Sequence, residues 1–289
     1  MARSSFAAAG LTIRPWSIDN TSVPDYKEDV VIEKLDSLAP PLRAAVVDLL
    51  FRMADDELII GHRNSEWTGH GPILEEDIAF SSMAQDEIGH AQVYYKMLHE
   101  LGQADPDTLA FGRKARQFRC ASMVCLPKGD WAFAVLRQFL YDSAESVRLA
   151  ALCEGTLKPL ADLARKLRGE EKYHLMHGRQ WVLRLGSATG ESRDRMQRAL
   201  QELYAHALGL FEPTEADEPL AQSGICPRER ELRTQWESAV APALAAAELK
   251  VPDHAVPVHG GRVGRHAAEL TELLKQMQLV YNIDPGAKW

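Results

Sequence analysis

Glu87 and His90 stand three positions apart, and the chain repeats the pair at Glu171 and His174. On an α-helix that spacing puts both side chains on one face. A single pair of this kind occurs on many solvated helices. Here each pair has an acid about one helix length upstream, Glu57 before Glu87 and Asp142 before Glu171, each inside an apolar helical stripe. If each acid and its Glu-x-x-His lie on the two arms of an antiparallel hairpin, a rise of about 1.5 Å per residue returns the second arm to the level of the first.

The set Glu57, Glu87, His90, Asp142, Glu171 and His174 offers four carboxylates and two imidazoles. Oxygen-rich ligation with one histidine per ion suits a di-iron centre, with manganese as the alternative and zinc a poorer match. Without cations the same residues would bury several like charges, which low dielectric penalises. Each residue also has a plainer reading. Glu57 is otherwise a solvated helix acid, Glu87 with His90 a hydrogen-bonded core pair, and Glu171 with His174 a solvent-facing turn. Glu145, one turn beyond Asp142, either replaces it or supports it from outside.

The elements that must position these residues are long helices. A first runs from Pro40 or Pro41, proline being suited to the first helical turn, with Leu50, Met53, Glu57 and Ile60 on one stripe. A second spans about Leu74 to Leu101 with Phe80, Met83, Glu87, His90 and Tyr94 together, and Gly102 ends it. Residues 111–129 read as short or irregular structure. A third helix runs from Asp130, a suitable cap, to Cys153 with Val135, Gln138, Asp142, Glu145 and Leu149 aligned. A fourth spans about Lys158 to Leu185 with Leu163, Leu167, Glu171, His174 and Trp181. Further helices are expected at 191–210, 229–249 and 262–280, and 251–264 as an extended loop or small hairpin. With no βαβ rhythm, the expectation is an all-α up-and-down four-helix bundle with additional C-terminal helices. Residues 1–37, interrupted by Pro15 and Pro24, form an N-terminal extension that packs on the body or a partner or stays disordered, and 38–289 form the helical domain.

The composition, 46% hydrophobic and 26% charged, is that of an ordinary globular chain. A net charge of −8 without a basic stripe argues against nucleic-acid binding. No apolar run approaches the length of a membrane span. The four cysteines lack CxxC spacing, and with no export signal they are expected to be reduced thiols of a cytoplasmic protein. Around the acids, Asp86 is placed either to orient an imidazole or to face solvent. His177 is an extra ligand or an ordinary core or surface histidine. Tyr94, Tyr141 and Tyr173 either donate hydrogen bonds in a reaction chamber or pack the interior. The turn Asn64–Pro72 is either a cavity mouth or a partner contact, or Glu66 and Trp67 simply satisfy and fill it. Arg179, Arg184, Lys250 and Arg262 read as dispersed surface charge, or as contacts to an anionic ligand or acidic partner.

Several longer runs carry a more specific signal. Arg63-Asn64-Ser65-Glu66-Trp67-Thr68-Gly69-His70-Gly71-Pro72, Gln138-Phe139-Leu140-Tyr141-Asp142, Glu171-Lys172-Tyr173-His174-Leu175-Met176-His177 and Trp181-Val182-Leu183-Arg184-Leu185-Gly186 resemble the ferritin-like C subunits of bacterial phenylacetyl-CoA ring epoxidases. The likeness covers about residues 40–289 and includes Asp107–Phe111 and Pro285–Trp289. It implies a ferritin-like subunit that pairs with a related catalytic oxygenase subunit. Other epoxidase subunits and an electron-supplying reductase complete a complex that uses di-iron and dioxygen to epoxidise a CoA thioester. It also implies a degenerate metal set, with the first-helix acid and the helix-two pair replaced. This chain departs from that pattern at Glu57, Glu87 and His90, which match the catalytic subunit's arrangement instead. An independently catalytic di-iron oxygenase or oxidase acting on a CoA thioester or an aromatic substrate is the alternative.

Overall fold

The computed structural model of the chain describes residues 31–287. Four long helices dominate it: α1 (Pro40–Ser65), α2 (Leu74–Glu100), α5 (Trp131–Cys153) and α6 (Lys158–Ser187). Between α2 and α5 lie two short helices, α3 (Pro106–Phe111) and α4 (Ser122–Cys125). After α6 come α7 (Gly190–Leu208), α8 (Asp217–Gln222), α9 (Glu229–Ala246) and α10 (Ala268–Met277). Among the described residues there is no strand, only an isolated bridge between Ile32 and Leu157. The fold is the all-α bundle with added helices that the periodicity predicts.

Local chemistry explains the helix starts. α1 opens with proline in its first turn, and the Asp130 carboxylate accepts from Phe133 N–H at 2.9 Å to cap α5. α7 starts in a reciprocal cap between Thr189 and Ser192. The last helix is shorter than the predicted 262–280. Gly264, at φ 75° against the Arg116 carbonyl, turns the chain in a left-handed conformation that a helix cannot include. The 251–264 segment forms no hairpin.

α1 packs on α2 and α5 on α6, while α2 meets α6 across the bundle. Gly61 of α1 lies against Ala84 and Glu87 of α2, and Gly178 of α6 against Phe139 of α5. Asn64 of α1 bonds to Gln138 of α5. Every neighbouring pair therefore runs antiparallel, and α5 runs parallel to α2, diagonally opposite. The directions are up, down, down, up rather than strictly alternating. The cause is the connection from α2 to α5: it leaves beside the start of α1, where Arg43 donates to the Leu101 carbonyl, and ends beside its finish, where Lys128 donates to the Glu66 carbonyl.

This crossover covers the outer side of α1, so that helix is buried nearly all round. Asp55, Asp56 and Arg52 are as enclosed as Leu50 and Met53. Asp55 accepts from Tyr95, Arg113 and the Arg119 amide, and Asp56 from the Ala121 amide and Arg262. The bonds from Arg113, Arg119 and Ala121 tie the crossover to the residues just before Glu57. Residues 1–30 of the expected N-terminal extension lie outside the described region; of the remainder, Ile32 bridges to Leu157 and Leu35 is buried.

Candidate metal centre

Each of the four long helices sends acidic or imidazole side chains to one interior volume. Glu57 comes from α1, Glu87 and His90 from α2, Asp142 from α5, and Glu171 and His174 from α6, and all six are buried. Donor atoms of Glu57, Glu87, His90 and Glu171 lie within 4.8 Å of one another, as do those of Glu87, Asp142 and His174. Glu87 belongs to both groups: Oε2 is 3.5 Å from His90 Nδ1 and Oε1 is 3.5 Å from His174 Nδ1. Glu171 Oε1 likewise sits 3.3 Å from His90 Nδ1 and 3.5 Å from His174 Nδ1. Two carboxylates thus stand between two imidazoles whose ring centres are 6.4 Å apart. Glu57 and Asp142 flank them, one beside each histidine.

The outer nitrogens of the imidazoles are engaged from the opposite helix. His90 Nε2 is 2.8 Å from Glu170 of α6, and His174 Nε2 is 3.2 Å from Asp86 of α2. A carboxylate accepts only, so each Nε2 carries hydrogen and each Nδ1, once deprotonated, turns a lone pair inward. Among the described residues, Glu57 Oε2, Glu87 Oε2, His90 Nδ1, Asp142 Oδ2, both Glu171 oxygens and His174 Nδ1 are buried without a hydrogen-bond partner. Seven such atoms converging from four helices are far outside what a packed interior tolerates. Oxygen and nitrogen donors at this spacing, backed by outer carboxylates, fit a pair of divalent cations.

The electrostatics carry the same message. Burial and the Glu87 charge push the Glu57 carboxyl well above the ordinary range, with His90 opposing. Burial, then Glu171 and Glu87, does the same to Asp142. Burial also works against the Glu87 carboxylate, but the charge of His174 outweighs it and holds that carboxyl well below its usual value. Burial disfavours the His174 cation, yet the Glu171 and Glu87 carboxylates, each 3.5 Å from Nδ1, push it up to about 12. His90 is raised in the same way by Glu171, Glu57 and Glu87. Protons on the imidazoles and acids therefore supply, in the metal-free chain, the positive charge that the carboxylates require.

Several surrounding residues have definite placements. Gln138 donates to Glu87 Oε1 at 3.1 Å and Asp142 Oδ1 at 2.6 Å, and its own oxygen accepts from Asn64 at 2.7 Å. Neither Asn64 nor Gln138 stood out by residue type, since amides on helix stripes are common; the signal was Gln138 one turn before Asp142. Glu170 was also missed, although, like Asp86, it immediately precedes a Glu-x-x-His. Glu145 lies outside both donor groups and faces Arg148 at 3.5 Å; burial pushes its carboxyl up to about 7 against the pull of Arg148. Arg148 and Arg52 both pair with the buried Glu229.

Tyr94 and Tyr141 are buried with unpartnered hydroxyls, whereas Tyr173 is 65% exposed because its position on α6 falls opposite the stripe. His177 is no part of the donor groups; its Nε2 bonds to Glu76 at 2.6 Å. Trp67 is buried against Trp131 and Phe80, with Trp181 beyond, and these rings close the end of the bundle about two to three turns past the acids. The Asn64–Pro72 turn thus fills space at Trp67, while Glu66 accepts from Arg63. Arg179, Arg184 and Lys250 are exposed. Arg262 is not surface charge: it is buried and pairs with Asp56 at 2.7 Å.

Fold and site together define the class: a ferritin-like helical bundle with a carboxylate–histidine cluster able to coordinate metal on its axis. The chain belongs to the phenylacetic acid catabolic protein family, whose model matches residues 20–289. It is 35% identical to the C subunit of 1,2-phenylacetyl-CoA epoxidase from Escherichia coli (strain K12), over 82% of this chain and 96% of that relative. The A subunit of the same enzyme is 23% identical, over 78% of this chain and 74% of its own length. Among the described residues no helix is long and apolar enough to cross a membrane.

Proposed function

We propose that this chain is a C-type subunit of a cytoplasmic phenylacetyl-CoA epoxidase complex, pairing with a related ferritin-like catalytic subunit, and that it holds a di-metal centre of its own. The observation that carries this role is the 35% identity to the epoxidase C subunit, over 96% of that protein. Glu57, Glu87, His90, Asp142, Glu171 and His174 are the proposed ligands, for iron first and manganese as the alternative. In this reading Glu87 and Glu171, which each reach both histidines, would hold the metals together with Glu57 beside His90 and Asp142 beside His174. Asp86 and Glu170 hold the imidazoles, Gln138 holds Glu87 and Asp142, and the tryptophan cluster excludes water from one end. A redox-active ion pair, when bound, supplies the electrons that dioxygen activation requires; a reductase subunit would replenish them, and a CoA thioester would be the complex's substrate.

The complete ligand set favours a second reading, in which the chain is itself an oxygenase or oxidase acting on a CoA thioester or an aromatic compound. Two measurements separate them. Stable co-purification with a protein resembling the epoxidase A subunit, without oxygen use by the isolated chain, supports the C-type role. Reductant-dependent oxygen consumption by the isolated chain supports independent catalysis. Metal analysis of chain purified without chelator is expected to find about two iron or manganese ions per chain, lost on replacing Glu87 and His90 together by alanine. A folded wild-type chain with no affinity for either metal would refute the centre.

A further inference from the structure

A third group of ligand-type side chains lies apart from the carboxylate centre. Cys120 Sγ, Cys125 Sγ and a ring nitrogen of His266 are within 4.8 Å of one another. The sulfurs are 3.5 Å apart, and Cys125 Sγ is 4.0 Å from His266 Nδ1. Both thiols are buried and His266 is half-buried. His266 Nε2 is 3.1 Å from the Phe118 carbonyl. A carbonyl only accepts, so Nε2 carries the hydrogen and Nδ1 turns its lone pair toward Cys125. Metal-bound histidines are held by this kind of outer bond.

The two cysteines bracket the single turn of α4, and His266 follows the Gly264 turn before α10. These segments are fixed to one another independently of the three side chains. Gly261 rests on the Cys120 carbonyl, where a Cβ would not fit. Arg262 donates to the Arg119 carbonyl at 3.0 Å. Arg63 donates to the carbonyls of both Cys125 and Glu269, at 2.9 and 3.2 Å. The donors are therefore preorganised across a long sequence separation. Tetrahedral zinc, with bonds of about 2.3 Å to sulfur and about 2.0 Å to nitrogen, has sulfur–sulfur and sulfur–nitrogen edges of roughly 3.8 and 3.5 Å, about 0.3 and about 0.5 Å from the 3.5 and 4.0 Å observed. Two thiolates and a neutral imidazole also cancel a double positive charge, leaving no net charge in the interior. The nearby Asp55 and Asp56 are committed to Arg113 and Arg262.

We propose that Cys120, Cys125 and His266 form a thiolate–imidazole site for a soft divalent cation of the zinc class, distinct from the carboxylate centre, that clips the segment before α10 to the α4 turn. A solvent molecule takes the fourth position, on the half-buried His266 side. A disulfide between the same cysteines would need the sulfurs to close to about 2.05 Å and would leave His266 Nδ1 without its partner.

The probe is Co²⁺ added to the full-length chain under reductant. The site predicts a thiolate-to-cobalt charge-transfer absorption that saturates at one ion per chain and is displaced by Zn²⁺. It should persist in the Glu87→Ala/His90→Ala variant, disappear in Cys120→Ser and Cys125→Ser, and weaken at least about tenfold in His266→Ala. The wild-type spectrum is decisive even if a variant fails to fold. Absence of the band while both thiols titrate as free would overturn the proposal. So would a Cys120–Cys125 disulfide that forms under air equally fast with and without stoichiometric Zn²⁺.

Discussion

Asp86 and Glu170 occupy equivalent places, each one residue before a Glu-x-x-His and each bonded to the histidine of the other helix. Adjacent helix positions point about 100° apart, so an acid that precedes an inward glutamate emerges at the helix edge, where it reaches across to the neighbouring helix. Both carboxylates are more than 40% exposed, so their removal leaves no buried charge behind. Asp86→Ala and Glu170→Ala are each expected to weaken iron or manganese binding about 10- to 100-fold while leaving the fold intact. Chelator competition on wild type and variants measures this. Unchanged affinity in both would reduce these acids to surface charge.

Helix approach decides whether the acids can meet. At Gly61 an added Cβ would stand 3.0–3.1 Å from Ile88, Glu87 Cβ and the Ala84 carbonyl. The space between α1 and α2 at the level of Glu87 therefore excludes a side chain. Gly61→Val is expected to push the helices apart there, costing about 1–3 kcal/mol of stability and lowering metal retention, because Glu57 and Glu87 then separate. Thermal melting and metal content of the same preparation check both effects. The start of α1, the end of α2 and the start of α5 were legible from Pro40, Gly102 and Asp130. The last helix was misread because its loop contributes apolar and charged residues at helical spacing until Gly264 turns left-handed.

Over the whole molecule, the site's charge makes stability depend on pH. Glu57 and Asp142 keep protons to higher pH when folded than when unfolded, and His90 and His174 do so above their ordinary value near 6.5. From about pH 5 upward these four groups bind more protons in the folded metal-free chain than in the unfolded one, so the stability they contribute falls as pH rises. Glu87 has the opposite sign, but its contribution changes only below the ordinary glutamate value, near pH 4.5. Metal replaces those protons and binds more tightly as pH rises. The chelated chain is expected to melt progressively lower between pH 6 and 9. The loaded chain should melt higher, by about 4 kcal/mol of added stability at a thousandfold excess over Kd, with a gap that widens with pH. A chelated chain whose melting is flat across that range would contradict the raised values at Glu57, Asp142 and the histidines.

The sequence by itself determined the four long helices, their facing stripes and the identity of the six chemically apt residues, because a helix face follows from a period of 3.6 that local residues set. Glu145 against Asp142 stayed open at that level, since both share one stripe; only packing turned Glu145 toward Arg148 and Asp142 toward Glu87. The same holds for Arg262, whose sequence neighbourhood reads as a surface loop until folding sets it against Asp56 of α1. Glu170 with His90, Asn64 with Gln138 and His266 with Cys125 are likewise pairings between distant segments. No local propensity encodes such contacts. They exist because the crossover between α2 and α5 closes the bundle in one order of directions, and that closure belongs to the chain as a whole.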